Sequence, residues 1–175
     1  MGVDKRALAA FIKRLEQLNT VQKHQIMEQV TRDSAGAQLT LVIKKTPVGK
    51  SRQDKDGNLI HVGGALRRAW TCRTEEEAQK SAEAPTAAAY AKTLDVEKQG
   101  HEYSVEVANP MYYASYVEHG HRQEPGRYVP AIGKRLKKSW VEGQFFLKKA
   151  ETEFIEAAPT FLQGRLEKFL KKTFK

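Results

Sequence analysis

The chain has 175 residues, of which 40% are hydrophobic, and its 30 basic and 21 acidic residues give a formal net charge of +9. This composition can build the core of one domain with helical appendages, which excludes wholesale disorder. The single cysteine, Cys72, excludes an internal disulfide framework and a cysteine-rich zinc site. No apolar run approaches the roughly 18 residues of a membrane span, and no signal-peptide stretch follows Met1. We therefore expect a soluble protein made in a reducing compartment.

The N-terminal part is expected to be helical. Between residues 4 and 31, apolar residues recur at three- and four-residue steps with charged residues between them, and Asp4 is a suitable N-cap. Asn19-Thr20 is a candidate interruption that would make two stacked segments. Residues 38–46 are ambiguous, because their apolar residues are strand-like by type but do not alternate cleanly. Pro47 must end whatever precedes it.

The middle of the chain predicts a loop, a helical turn and a strand. Residues 48–64 are polar and glycine-rich, which is typical of a mobile surface loop. We expect a helical turn at Ala65–Ala69 and an extended segment from Trp70 to Arg73, whereas Glu75–Ala89 is undecided because Pro85 interrupts it. Alternation of Tyr103, Val105 and Val107 with polar residues predicts a half-buried strand that ends at Asn109-Pro110.

The C-terminal part of the chain is predicted to form an aromatic cluster, a loop and a helix. An aromatic cluster from Tyr112 to Val117 closes at Gly120, and residues 121–140 are expected to form a second long loop. From Glu142 an apolar stripe at helical spacing runs to the end of the chain, with Pro159 as a kink or as the start of a new helix. Helices, then strands, then a helix indicate an α+β fold without βαβ units.

Two motifs were tested for chemistry and rejected. Gly49-Lys50-Ser51 resembles the end of a phosphate-binding loop, but the position five residues before Gly49 is Lys44 instead of glycine, and Pro47 removes a backbone donor. His119 and His121 straddle Gly120 and could share one side of an extended chain, yet a metal site needs a third ligand. We expect no cofactor and no metal.

A third constellation, Glu118 with His121 and Arg122, could act as an acid–base set beside a phosphate-binding arginine. Nothing else in the sequence supplies a nucleophile or an oxyanion hole. We therefore favour the alternative that Glu118 and Arg122 form a pair that holds the exit of the loop.

The densest basic run is Lys134, Arg135, Lys137 and Lys138. From Lys134 to Lys175 there are eleven basic and five acidic residues, so +6 of the net charge of +9 lies in this part of the chain. Such a run is usually a solvated surface, and it also suits DNA phosphate. The nearby aromatic residues lie on the apolar stripe rather than between the lysines, so stacking on bases is not indicated.

Three segments in order carry a family resemblance. They are Thr46-Pro47-Val48 followed by Gly63-Gly64-Ala65-Leu66-Arg67-Arg68-Ala69-Trp70, then Asn109-Pro110-Met111-Tyr112-Tyr113-Ala114-Ser115-Tyr116-Val117-Glu118-His119-Gly120-His121-Arg122, then Trp140-Val141-Glu142-Gly143-Gln144-Phe145-Phe146-Leu147. Together they resemble the gene-ten-like tail-component family of HK-type tailed phages. Residues 49–62 and 123–139 lengthen the two loops relative to the short form of that family.

The resemblance implies an α+β fold with long N-terminal helices, a small mostly antiparallel sheet, a kinked C-terminal amphipathic helix and two long loops. On that basis Gln38–Thr46 is expected to be helical, against its residue types. The chain would be one domain over residues 1–175, divided into an N-terminal helical part (1–46), a loop (47–64), a sheet core (65–120), a second loop (121–140) and C-terminal helices (141–175).

The resemblance also implies a function. The chain would be a non-catalytic virion protein at the head–tail junction, assembled in the bacterial host cytoplasm into a ring of six copies around the DNA channel. Its partners would be other copies, the neighbouring head–tail connector, the tail terminator or tail tube proteins, and passing DNA, with no membrane contact. Subunit-interface candidates are Arg67, Arg68, Glu118, His121 and Arg122. DNA-channel candidates are Lys134, Arg135, Lys137 and Lys138.

Leu66, Trp70, Tyr113, Tyr116 and Val117 are expected in the core instead of at an interface. The alternative function is a prophage-encoded nucleic-acid-binding or nuclease-like protein that uses the basic loop and His121. Steep salt dependence of binding to random duplex DNA would favour that alternative.

Overall fold

A computed structural model describes residues 6, 9–10, 12–13, 16, 18, 20–49, 51–53, 57, 59–61, 63–80, 84–130 and 133–173. Its helices are α1 (Thr20–Lys45), α2 (Ala65–Arg68), α3 (Glu75–Lys80), α4 (Ala87–Ala91), α5 (Ala114–His119) and α6 (Phe146–Thr173), with a 3-10 turn at Ala69–Thr71. Its strands are β1 (Arg52–Gln53), β2 (Leu59–His61), β3 (Glu97–Gln99), β4 (Glu102–Ser104), β5 (Gly120–Arg122), β6 (Tyr128–Val129), β7 (Lys134–Arg135) and β8 (Trp140–Glu142). The α+β prediction is confirmed.

The two long helices α1 and α6 form the frame of the molecule and run antiparallel. Lys45 near the end of α1 pairs with Glu153 near the start of α6 at 2.5 Å, and Asp33 pairs with Arg165 at 3.3 Å. At the other end of the pair, a small cluster buries Leu18, Ile26, Val30 and Leu170. Each helix therefore buries one side against the other along most of its length.

The larger core lies where α1 and α6 meet the short elements. It contains Leu39 and Val42 of α1, Leu66 and Trp70 of the helical turn, and Phe146 of α6, among others. The rings of Trp70 and Phe146 are in edge-to-face contact, with centroids 6.2 Å apart. Burial of Leu66 and Trp70 confirms the prediction made for these two residues.

Helix α1 extends further than the periodicity of residues 4–31 predicts. The helix continues to Lys45, so the expectation of a helix over Gln38–Thr46 is confirmed for every residue but Thr46. The helix ends two residues before Pro47. Leu18 lies in a bend just before the helix begins at Thr20, which agrees with an interruption near this point. Asp4, the predicted N-cap, lies outside the described residues.

Within the described ranges the strands form four separate two-stranded antiparallel pairs, β1–β2, β3–β4, β5–β8 and β6–β7. The segments predicted as loops at 48–64 and 121–140 therefore contain strand pairs, and the predicted extended segment from Trp70 begins as a 3-10 turn. Residues 102–107 alternate between exposed and half-buried as predicted, but only Glu102–Ser104 form a strand. Helix α6 is continuous through Pro159 instead of restarting there.

Candidate assembly surface

The segment from Gly120 to Glu142, called the arm below, is a hairpin that leaves the body of the molecule between α5 and α6. At its base β5 pairs with β8, with Gly120 opposite Glu142 and Arg122 opposite Trp140. At its tip β6 pairs with β7, with Tyr128 opposite Arg135 and Val129 opposite Lys134. A bond from Gln123 N to Ser139 O, 2.8 Å, continues the ladder between the two pairs.

The register of the arm changes by one residue in its middle. Gly126 donates its N–H to Leu136 O, and Leu136 donates its own N–H to Arg127 O, both at 2.9 Å. Gly126 has φ of 88°, so this two-against-one pairing is a G1 β-bulge. The preceding Glu124-Pro125-Gly126-Arg127 closes a turn through Arg127 N to Glu124 O, with proline and glycine in the positions that a type II turn favours.

Two glycines hold the base of the arm. A Cβ on Gly120 would lie 2.4 Å from Val141 O, and a Cβ on Gly143 would lie 2.4 Å from Glu118 O. Gly120 also has φ of 85°. Because backbone approaches backbone at both positions, no side chain fits there, and the two ends of the arm lie side by side.

Glu118 connects the base of the arm to α6. Its side chain is 6% exposed and accepts hydrogen bonds from the backbone N–H groups of Leu147 (2.9 Å) and Lys148 (3.1 Å). These donors belong to the first turn of α6 and have no partner within the helix, so the carboxylate caps the helix and faces the positive end of its dipole. The predicted pair of Glu118 with Arg122 is therefore wrong, since the carboxylate faces α6.

The arm is basic and uncovered. Every residue of it that the structure describes is exposed or half-buried, and none is buried. It carries six basic residues, Arg122, Arg127, Lys134, Arg135, Lys137 and Lys138, against Glu124 and Glu142. The four predicted DNA-channel residues thus lie together on one exposed hairpin, with neighbouring Lys134 and Arg135 on opposite faces of β7.

Two of the predicted interface residues, Arg67 and Arg68, make contacts inside the chain. Arg67 donates to Thr46 O from Nε at 3.1 Å and from a terminal nitrogen at 2.7 Å. Arg68 donates to Gly63 O at 2.9 Å and to Ala78 O at 3.1 Å. Both guanidinium groups thereby bind backbone carbonyl groups of neighbouring segments and hold α2 against them.

Thr46 is the centre of this arrangement and is fully buried. Its hydroxyl donates to Val42 O at 2.6 Å and accepts a hydrogen bond from Trp70 Nε1 at 2.8 Å. The Thr-Pro and Leu-Arg-Arg-Ala-Trp motifs of the sequence therefore meet in space. They close the end of α1 against α2 and have a structural role.

His121 and Arg122 lie at the base of the arm. The ring of His121 is half-buried, with Nε2 3.3 Å from Gln123 Nε2 and its centroid 5.9 Å from that of Tyr116. Its Nδ1 is buried without a hydrogen-bond partner among the described residues. Arg122 is exposed. Because Glu118 faces α6, the acid–base set that the sequence analysis considered and did not favour is not assembled. No group of three His, Cys, Asp or Glu in the described part of the chain could hold a metal ion.

Exposed aromatic residues near the arm were missed by the sequence analysis. Tyr112 is 75% exposed and Tyr116 55%, so the prediction that Tyr116 belongs to the core is wrong, whereas Tyr113 and Val117 are half-buried. Trp140 and Phe145 are also exposed. The four-residue spacing of Tyr112 and Tyr116 was the available signal, since in a turn that leads into a helix it places both on one side and Tyr113 and Val117 on another.

Cys72, Tyr90 and Tyr113 are titratable groups within the body rather than on the arm. Burial is the main cause that raises the pKa of each, with Glu77 adding to the rise at Cys72 and Glu75 adding to it at Tyr113. The Tyr90 hydroxyl donates to Cys72 O at 3.4 Å. Cys72 is 5% exposed and belongs to the larger core, so it is a packing residue.

The main features of the described structure are two long antiparallel helices, a core where they meet the short elements, and a basic hairpin with no buried residue. The model of the family described as "Bacteriophage HK97-gp10, putative tail-component" matches residues 9–120. Because this is more than half of the chain, the protein belongs to that family of phage tail components. The match ends at Gly120, the first residue of the arm, so the rest of the arm and α6 lie beyond it.

No curated protein and no solved structure matches the chain. Within the ranges that the structure describes, no helix has the length and apolar content needed to cross a membrane.

Proposed function

We propose that this chain is a non-catalytic structural protein of a tailed-phage or prophage particle, and that six copies form a ring around the DNA channel at the head–tail junction. Membership of the tail-component family supports a place in the virion, with assembly in the host cytoplasm. The observation that carries the proposal is the arm, a 23-residue basic hairpin that its own subunit leaves uncovered.

The arm has the properties of an element that contacts a neighbouring subunit. An isolated two-stranded hairpin is marginally stable in water, and both of its outer edges present unpaired backbone groups. Contact with a second protein surface would cover these groups. Rings use heterologous contacts, in which one surface of a subunit meets a different surface of the next, and a projecting arm is suited to this geometry.

The candidate residues divide into two sets on this proposal. His121 and Arg122 lie at the base of the arm and are assigned to the subunit interface. Arg67, Arg68 and Glu118 are assigned to its support, because their polar groups bind backbone atoms that shape the subunit.

Four basic residues are proposed to meet DNA as it passes, namely Lys134, Arg135, Lys137 and Lys138. All four are exposed, and among the described residues none forms an ion pair. Contacts of exposed lysine and arginine with phosphate are independent of sequence and weaken with salt, which suits a channel through which DNA must slide. The head–tail connector and the tail terminator or tail tube proteins are the proposed neighbours along the channel.

The mass of the purified 19.8 kDa chain in light scattering tests the proposal, measured alone and after incubation with tail or capsid particles. A ring of about 119 kDa, or a monomer that becomes incorporated into particles, supports it. A monomer that is not incorporated into particles, and that binds random duplex DNA with steep salt dependence, favours the nucleic-acid-binding alternative. The variant His121→Ala is the matched control, because loss of a nuclease activity in it would overturn the non-catalytic assignment.

A further inference from the structure

An acidic groove lies on the surface of the body, beside the hairpin of β3 and β4. It encloses about 440 Å³, and its lining includes Asp95, Glu97 and Glu106 together with Arg73. Residues 95–106 carry four acidic side chains and one lysine. All four carboxylates are exposed, and none of them forms an ion pair with any residue that the structure describes. With three carboxylates and one arginine in its lining, the groove has a net negative charge that no ion pair among the described residues neutralises.

The arm presents the opposite charge, also uncompensated. Its six basic residues exceed its two acidic residues by four, and no ion pair to these basic side chains exists within the described ranges. Arg135 donates a hydrogen bond to Gly126 O at 2.7 Å, which neutralises no charge. Two surfaces of opposite sign thus coexist on one chain without neutralising each other.

We infer that the arm of one copy docks in the acidic groove of the next copy. The inference rests on the proposed ring and names the contact that builds it. Two arms side by side would place like charges together, and this repulsion at an interface opposes pairing of arm with arm. A groove of the same chain with unpaired carboxylates removes that repulsion and supplies a binding partner for the lysines.

The contact is heterologous, because each copy gives an arm and receives one in its groove. Such contacts close into a ring when the rotation between copies is a whole fraction of a turn. Lys134 and Arg135 lie on opposite faces of β7, so one face of the arm can contact the groove while basic charge on the other remains available to DNA.

Zero-length carbodiimide cross-linking of the unmodified chain tests the contact, because it joins lysine amines only to carboxylates that touch them. The chain is treated alone at high concentration and after incorporation into particles, and linked peptides are identified by mass spectrometry. We expect intermolecular links from Lys134, Lys137 or Lys138 to Asp95, Glu97 or Glu106. Incorporation without these links overturns the inference and leaves the proposed function intact. Links in the free chain without incorporation support the contact and count against the proposed function.

Charge reversal provides an independent measurement. The arm variant Lys137→Glu/Lys138→Glu and the groove variant Glu97→Lys/Glu106→Lys should each lower the yield of linked oligomer about tenfold or more. The chain that carries all four changes should recover it, because the charges are again opposite. Glu76→Lys/Glu151→Lys makes the same charge change as the groove variant on exposed positions elsewhere and should have no such effect. Equal yields from all variants would refute the contact.

Discussion

The carboxylate of Glu118 accepts a hydrogen bond from the backbone N–H of Leu147 at 2.9 Å, although 29 residues and the whole arm separate the two residues. This bond joins the end of α5 to the first turn of α6 and fixes the place where the arm leaves the body. A residue that the sequence offers as a catalytic acid or a surface partner is thus the N-terminal cap of the longest helix described.

Replacement of Glu118 by alanine should lower the free energy of unfolding by about 2–3 kcal/mol, because two backbone donors lose a charged acceptor in a buried place. Glu118→Gln keeps one acceptor oxygen and should cost about 1 kcal/mol. Urea denaturation measures both. Glu124→Gln, an exposed change on the arm, is the control, and equal losses in all three variants would refute the capping role.

The bond between Thr46 and Trp70 predicts a coupled loss of stability. Thr46→Val keeps the shape of the side chain but leaves the buried Trp70 Nε1–H without an acceptor, so unfolding should become easier by about 1–3 kcal/mol. In the variant Trp70→Phe, the hydroxyl of Thr46 still donates its hydrogen bond to Val42 O. The double variant should lose less than the sum of the single losses, as residues in contact do. Strict additivity in a double-mutant cycle would show that the bond contributes nothing.

Gly143 and Gly164 should respond to alanine in opposite directions. A Cβ at Gly143 would clash with the backbone of Glu118 and His119, so Gly143→Ala should destabilise the base of the arm and make the arm easier to cleave by protease. Gly164 lies within α6, where an added Cβ would meet nothing within 4 Å. Gly164→Ala should therefore stabilise the protein by about 0.5–1 kcal/mol through helix propensity. Thermal unfolding and limited proteolysis of both variants check this contrast.

The ion pair of Lys45 with Glu153 predicts a small pH dependence. The hydrogen bond and charge of Lys45 lower the pKa of Glu153 in the folded state. The stabilisation from a lowered pKa is fully present above the pKa of the unfolded chain, near 4.3, and is lost as pH falls through the folded pKa. The difference in Tm between the protein and Glu153→Gln should therefore be constant near neutral pH and vanish in acid.

The size of that difference should be small and should fall at high salt, because Glu153 is exposed, Lys45 is only half-buried, and such solvent-accessible pairs contribute little. Glu151→Gln on the exposed side of the same helix is the matched control. A difference that grows as the solution becomes more acidic would contradict the assignment.

The sequence predicts those elements that are set by a local pattern of residues, and it does not predict those that are set by contacts with distant parts of the chain. The apolar stripe of α6 and the alternation around Tyr103 are local patterns, and both could be recognised in the sequence. Leu39 and Val42 are strand-like by type, yet they lie in α1, because tertiary packing on more than one side of this helix overrides residue preference. Only the family resemblance predicted the helix there.

The arm and the cap were not predictable for different reasons. An uncovered hairpin needs no alternation of apolar and polar residues, so the sequence of its strands resembled that of a loop. The Pro125-Gly126 pair, which favours a turn, was the one local indication of a hairpin. A cap supplied across 29 residues leaves no pattern of spacing at either end of the contact. The positive charge of the candidate assembly surface could therefore be predicted from the sequence, but its hairpin shape could not.

The adjacency of Gly120 and Gly143 has a consequence for how the protein can vary. Excision of the 22 residues between them would leave two chain ends that a short turn can rejoin, at little cost in loop-closure entropy. The body thus brings the two ends of the arm together at these glycines. Grafting hairpins of other lengths and charges at this one junction should change which copies join one another while the body, and the family to which it belongs, stay the same.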